Sequence, residues 1–131
     1  MYQLNSKIRD LKPYEPLEGD YRIRLDANES FLSLPTSVMS KMMDAFAYTA
    51  FNRYPDPLAV DVCRMFAQYH KIRPENVTAG NGSDELISVL MTAFLMKGDT
   101  VLTLSPDFSM YRFYSSLVEV RCVDVVKKSD L

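Results

Sequence analysis

The spacing of apolar positions changes along the chain, and each change marks an element. Residues 1–34 have few periodic apolar positions and carry Pro13, Pro16 and Gly19, which predicts an extended arm with one short helix at its start. Within the arm, Tyr21, Ile23 and Leu25 alternate with Arg22, Arg24 and Asp26, the period of a half-buried strand. Residues 26–30 then break that pattern with turn-forming polar side chains. From Pro35 to about Tyr48, Val38, Met39, Met42, Met43, Phe46 and Ala47 recur at helical spacing, with Ser33 as the expected N-cap ahead of Pro35. Pro55 and Pro57 end any helical run. Asp56 followed by Pro57 reads as the cap and first position of a second helix, with Leu58, Val62, Met65, Phe66 and Tyr69 on one face.

Beyond Pro74 the texture changes. Residues 77–79 predict a short strand, and Gly80-Asn81-Gly82-Ser83 a turn. A helix through Leu86, Ile87, Leu90, Phe94 and Leu95 follows, ended by Gly98. Residues 100–104 predict a second strand, about 107–117 a helix, and 119–126 a third strand. Alternation of strand and helix is the signature of a layered α/β fold. The expected division is an N-terminal arm over residues 1–34 and an α/β body over residues 35–131.

Composition narrows the function classes. With 47% hydrophobic residues there is material for a core and no bias towards disorder. Fifteen basic against seventeen acidic side chains leave a net charge of −2, so no global field draws in nucleic acid or an anionic membrane. The apolar runs stop well short of a bilayer span, and the first residues lack the apolar block of a signal peptide, so a cytoplasmic location is expected. Cys63 and Cys122 stand far apart with no CxxC, and His70 is the single histidine. This predicts reduced, mostly buried thiols, no disulfide scaffold and no metal site.

The strongest local signal is Gly80-Asn81-Gly82-Ser83-Asp84-Glu85 between a predicted strand and a helix. Glycines permit a sharp turn and close approach of a ligand, and the leading N–H groups of a helix with its dipole attract an anion. Glu85 stands where the dinucleotide fingerprint requires a third glycine, and no Gly-Lys-Ser/Thr follows for a P-loop. Asp84 and Glu85 suit the first helical turn but would repel a phosphate if aimed at it. Two readings stay open: an ordinary capped turn, or a phosphate cradle.

Four blocks in series carry a resemblance. Leu25-Asp26-Ala27-Asn28-Glu29, Asn52-Arg53-Tyr54-Pro55-Asp56-Pro57, Gly80-Asn81-Gly82-Ser83-Asp84-Glu85-Leu86-Ile87 and Pro106-Asp107-Phe108-Ser109-Met110-Tyr111 together resemble the histidinol-phosphate aminotransferase family. The resemblance implies the first part of the three-layer αβα large domain of fold-type I aminotransferases, preceded by the N-terminal arm. It implies pyridoxal 5'-phosphate as cofactor and small-molecule substrates, a phosphorylated amino alcohol with glutamate and 2-oxoglutarate. A homodimer or higher oligomer is the implied assembly. Gly82, Ser83 and Asp84 would hold the cofactor phosphate, and Phe108 would stack on its ring, where the residues alone suggest core packing. Tyr54 would reach the phosphate in a neighbouring subunit, against the plainer reading of a loop tyrosine. Tyr14, Asn28 and Glu29 would lie near substrate, although Tyr14 fits an arm anchor equally well.

The departures matter too. After Asn28-Glu29 the chain reads Ser30-Phe31-Leu32-Ser33-Leu34-Pro35 rather than the family's Asn-Pro-Tyr-Gly type of turn. Amino transfer needs a lysine that forms a Schiff base with the cofactor and an acidic partner for the ring nitrogen. The resemblance implies both lie beyond Leu131. Lys97, Lys127 and Lys128 are poor substitutes, so no catalytic residue is assigned and the chain alone is expected to be inactive. The family's sheet would leave residues 77–79 without their usual neighbours, and the unpaired edges predict association. The alternatives are a non-catalytic phosphate-binding α/β module and a relative such as threonine-phosphate decarboxylase.

Overall fold

The computed structural model describes residues 3, 5–9, 11 and 18–128. The chain divides into two compact units, residues 14–57 and residues 1–13 with 58–131.

In the first unit, helix α2 spans Thr36–Ala47; the other helices belong to the second unit, where α1 is Ser6–Arg9. Pro35 is the N-cap of α2, and no side chain caps it, so the expected Ser33 cap does not form. The apolar stripe predicted from the sequence is present, but Val38, Met39, Met42, Met43 and Phe46 are exposed. Phe46 meets Phe51 with ring centroids 4.6 Å apart beyond the helix end. The strand expected over residues 21–25 does not form: the backbone bends at Arg22 and Ile23, and Leu25 is 87% exposed. Alternation alone cannot make a strand, because the ladder needs a partner backbone.

In the second unit, α3 spans Val60–His70, a 3₁₀ turn follows at Pro74–Asn76, and α4 spans Gly82–Phe94. Strand β1, Thr100–Ser105, leads through α5, Met110–Leu117, to strand β2, Arg121–Val126. The strands pair in parallel with Thr100 opposite Arg121 and Thr103 opposite Asp124. This is a β-α-β arrangement, with α5 packed on β2 and α4 packed on α5. The helix expected from Pro57 starts three residues late, because Ala59 sits in the left-handed region at φ +46 and becomes the N-cap in place of Asp56. Residues 77–79 form no ladder among the described residues, although Val77 is extended at φ −120, ψ 130. Helix α4 ends at Phe94 rather than running to Leu95, which is extended.

The core is small. Cys63 and Ala67 of α3, Ile87 and Met91 of α4, and Val120 are buried, with Thr103 and Ser115 as buried polar members. Thr103 and Ser115 donate to Asp124 and to the Tyr111 carbonyl, at 2.7 Å each. The outward residues of β1, Leu102 and Leu104, are apolar and exposed, as are Val89, Leu90 and Phe94 of α4. Parallel strands and helices that are apolar all round belong to sheets covered on both faces.

Candidate functional site

The glycine turn stands at the start of α4, a helix of 13 residues with Asp84 and Glu85 in its first turn. Gly82 is at φ +83, and a Cβ built there would meet nothing within 4 Å. Its side therefore opens to space a ligand can enter. Gly80 is different: a Cβ there would lie 2.8 Å from Leu86 Cδ2. One glycine is required by backbone conformation and the other by close approach. The Gly82 amide donates to the Gly80 carbonyl at 3.0 Å, and the Asn81 amide donates to the Glu85 carboxylate, which thus folds back on the turn. The amides of Ser83 and Asp84 are among the leading N–H groups of the helix, which have no partner within it. Ser83 is exposed, whereas Asp84 Oδ1 is buried with no hydrogen-bond partner among the described residues.

Phe108 lies in the same unit, on the segment joining β1 to α5. That segment begins with a cis Ser105–Pro106 peptide bond. The Phe108 amide donates to the Asp107 carboxylate at 2.8 Å, and its ring meets Tyr111 edge-on with centroids 6.4 Å apart. Phe108 is 43% exposed and lines a cavity of about 220 Å³ with Thr103, Tyr111, Arg112 and Asp124. It is not the buried core residue that composition alone would suggest. Gly82, Ser83 and Asp84 do not line this cavity.

Asn28, Glu29 and Tyr54 belong to the other unit. Asn28 adopts φ +53, a conformation asparagine tolerates better than most residues. Glu29 lies 3.9 Å from the Arg24 guanidinium, which also pairs with Asp26 at 3.1 Å. The hydrogen bond from Arg24 holds the Asp26 carboxyl below its ordinary range. Tyr54 is fully exposed, so its hydroxyl is available to a partner. Tyr14 lies outside the described residues.

The sequence reading missed a polar junction beneath Phe108. Asp124 accepts from the Thr103 hydroxyl at 2.7 Å and from the Arg112 guanidinium. The only signal in the sequence is a threonine and an aspartate flanked by apolar residues in the middle of the two strands. No motif surrounds them. Among the described residues there is no group of side chains able to hold a metal ion and no helix long and apolar enough to cross a membrane.

The family model for aminotransferase class I and II matches residues 22–130. A histidinol-phosphate aminotransferase from Clostridium kluyveri is 48% identical over 110 residues, covering 84% of this chain and 31% of that protein. One from Thermococcus gammatolerans is 36% identical over 127 residues, covering 97% of this chain and 37% of that protein. The chain thus spans about a third of the length of these relatives. Among solved structures, histidinol-phosphate aminotransferase from Sinorhizobium meliloti in complex with pyridoxal-5'-phosphate aligns with a TM-score of 0.69 at 25% identity, covering 79% of this chain and 28% of that one. Apo-BacF from Bacillus subtilis shares the fold over 99% of this chain and 36% of its own, with a TM-score of 0.78 at 18% identity.

Proposed function

This chain belongs to the class I and II aminotransferases, and from that premise we propose that it is the phosphate-holding and ring-stacking part of a pyridoxal-phosphate aminotransferase of histidine biosynthesis. The reaction is amino transfer between histidinol phosphate and 2-oxoglutarate, giving imidazole acetol phosphate and glutamate. The observation that carries this reading is the open glycine turn at the head of α4, in a chain 48% identical to a histidinol-phosphate aminotransferase.

The residues present suit the cofactor. The Ser83 and Asp84 amides and the Ser83 hydroxyl receive the phosphate, and the positive end of the α4 dipole favours its charge. Gly82 leaves the space that this approach requires. Phe108 offers a partly exposed ring face for stacking. Pyridoxal phosphate, when bound, supplies an electron sink for the amino transfer. Tyr54 donates its hydroxyl to the phosphate in a neighbouring subunit of a homodimer, and Tyr14, Asn28 and Glu29 border the substrate. Residues 1–34 act as an arm and residues 35–131 as part of the large domain, in a cytoplasmic enzyme.

The reactive lysine is none of this chain's candidates. Lys97 is engaged by Glu119 at 2.7 Å, and Lys127 donates to the Pro106 carbonyl at 3.0 Å. The apolar faces of α2, α4 and β1 are the surfaces that the remainder of such an enzyme covers.

The test is titration of the 131-residue chain with inorganic phosphate and with pyridoxal 5'-phosphate, followed by backbone amide resonances. Both ligands are expected to move the Ser83 and Asp84 signals, and Gly82→Asp to abolish the response with the fold intact. Unmoved signals, or an unchanged response in Gly82→Asp, would overturn the cradle. Conversion of histidinol phosphate by the chain alone would overturn the assignment of the lysine.

A further inference from the structure

Phe108 is held by a segment of only four residues, 106–109, between the end of β1 and the start of α5. Its position is set by what fixes those two ends. At the β1 end, the Lys127 amide donates to the Ser105 carbonyl at 2.8 Å, and Lys127 Nζ donates to the Pro106 carbonyl at 3.0 Å. At the α5 end, the Tyr111 amide donates to the Phe108 carbonyl at 3.2 Å, which ties the residue to the first helical turn. Whatever locates that turn on the sheet locates Phe108.

One side chain does so. Asp124 stands in the middle of β2, directly opposite Thr103 of β1, so the two side chains share one face of the sheet. One carboxylate oxygen accepts from the hydroxyl of Thr103, a buried residue whose Oγ1 also lies 4.0 Å from Cys122 Sγ. The other accepts from Arg112, in the first turn of α5, the turn to which the Phe108 carbonyl is bonded. Arg112, Asp124, Thr103 and Phe108 all line the cavity of about 220 Å³. An exposed ion pair alone adds little stability. Here the pair shares its carboxylate with the hydroxyl of a buried threonine, so losing Asp124 removes the side-chain tie from the sheet to the first turn of α5 and the shorter of the two contacts of Thr103 Oγ1 at once.

We propose that Asp124 is a positioning residue for Phe108: joined to Thr103 and Arg112, it fixes the first turn of α5 and thereby the plane of the ring that stacks on the cofactor. The inference rests on the reading of Phe108 as that ring. Asp124 touches neither cofactor nor substrate in this role. Its effect falls on ring stacking and leaves the phosphate turn at α4 alone.

The experiment measures affinity of the 131-residue chain for pyridoxal 5'-phosphate and for inorganic phosphate, with the Phe108 ring proton resonances as a signature of stacking. Asp124→Ala and Arg112→Ala are expected to weaken pyridoxal 5'-phosphate by about two- to tenfold, the share of affinity an aromatic stack carries. The ring-proton shift should shrink, inorganic phosphate affinity should stay unchanged, and Arg112→Lys should restore binding. Unchanged pyridoxal 5'-phosphate affinity, or equal loss for both ligands, would overturn the proposal, the second because it signals general loosening. Should Asp124→Ala fail to fold, the Arg112→Ala and Arg112→Lys pair decides alone. Phe108→Ala separates the two levels. If it weakens pyridoxal 5'-phosphate while the Arg112 and Asp124 variants do not, the positioning role fails and the stacking role stands; if it too has no effect, the stacking role fails and takes the positioning role with it.

Discussion

Replacing Gly80 by alanine tests whether the α4 turn is held by close approach. The added Cβ would lie 2.8 Å from Leu86 Cδ2, 2.9 Å from Leu86 Cγ and 3.0 Å from Glu85 Oε2. The Glu85 head can swing aside, but Leu86 is branched at the contact and must change rotamer or push the turn. Overpacking of this kind costs about 1–3 kcal/mol. Gly80 is not among the glycines at positive φ, so alanine recovers about 0.4–1 kcal/mol by restricting the unfolded chain. The net expectation is a loss of about 1–2 kcal/mol. In a Leu86→Ala background the obstruction is gone, and Gly80→Ala should be neutral or slightly stabilising relative to that parent. Gly82→Ala makes the contrast: nothing lies within 4 Å, but φ is +83, so a loss of about 1–2 kcal/mol should persist in both backgrounds. Urea unfolding of the parent, Leu86→Ala, and each glycine variant in both backgrounds, with midpoints compared at constant m, measures this coupling. A Gly80→Ala penalty that survives removal of the Leu86 side chain would refute the reasoning.

Three further outcomes are expected. Lys97 donates to Glu119 at 2.7 Å and, first by that hydrogen bond and then by its charge, holds the Glu119 carboxyl below its ordinary value. A lowered folded value gives stability that is present above the unfolded value and is lost as pH falls through the folded one. The stability difference between the parent and Glu119→Gln, measured by unfolding across pH, should therefore be present at neutral pH, fade in acid and shrink with salt. Ala67 on α3 is completely buried, so Ala67→Leu should lower the urea unfolding free energy by about 1–3 kcal/mol. Tyr54→Phe should leave that free energy within about 0.5 kcal/mol, since the side chain is fully exposed; a larger drop would give the hydroxyl a hydrogen-bond partner within the chain.

By itself the sequence determined the elements whose signals are local. Helical spacing from Val38 to Phe46 and from Val62 to Tyr69 marks α2 and α3, and β-branched runs mark β1 and β2, because backbone preference and side-chain period act within a few residues. The glycine turn was legible for the same reason: a turn and a helix start are local events, and Gly82 at positive φ meets the requirement that the spacing announced. Pairing and burial are not local. Residues 21–25 and 77–79 have strand-like patterns but no ladder among the described residues, because a strand exists only where another backbone accepts it. Ala59 at φ +46 delays α3 past the Asp56-Pro57 signal, a backbone conformation that no residue-type signal in this segment announces. The Thr103–Asp124–Arg112 junction is the clearest case. Its members are 9 to 21 residues apart, and only the parallel register of β1 on β2, with α5 laid across it, brings one carboxylate between a hydroxyl and a guanidinium.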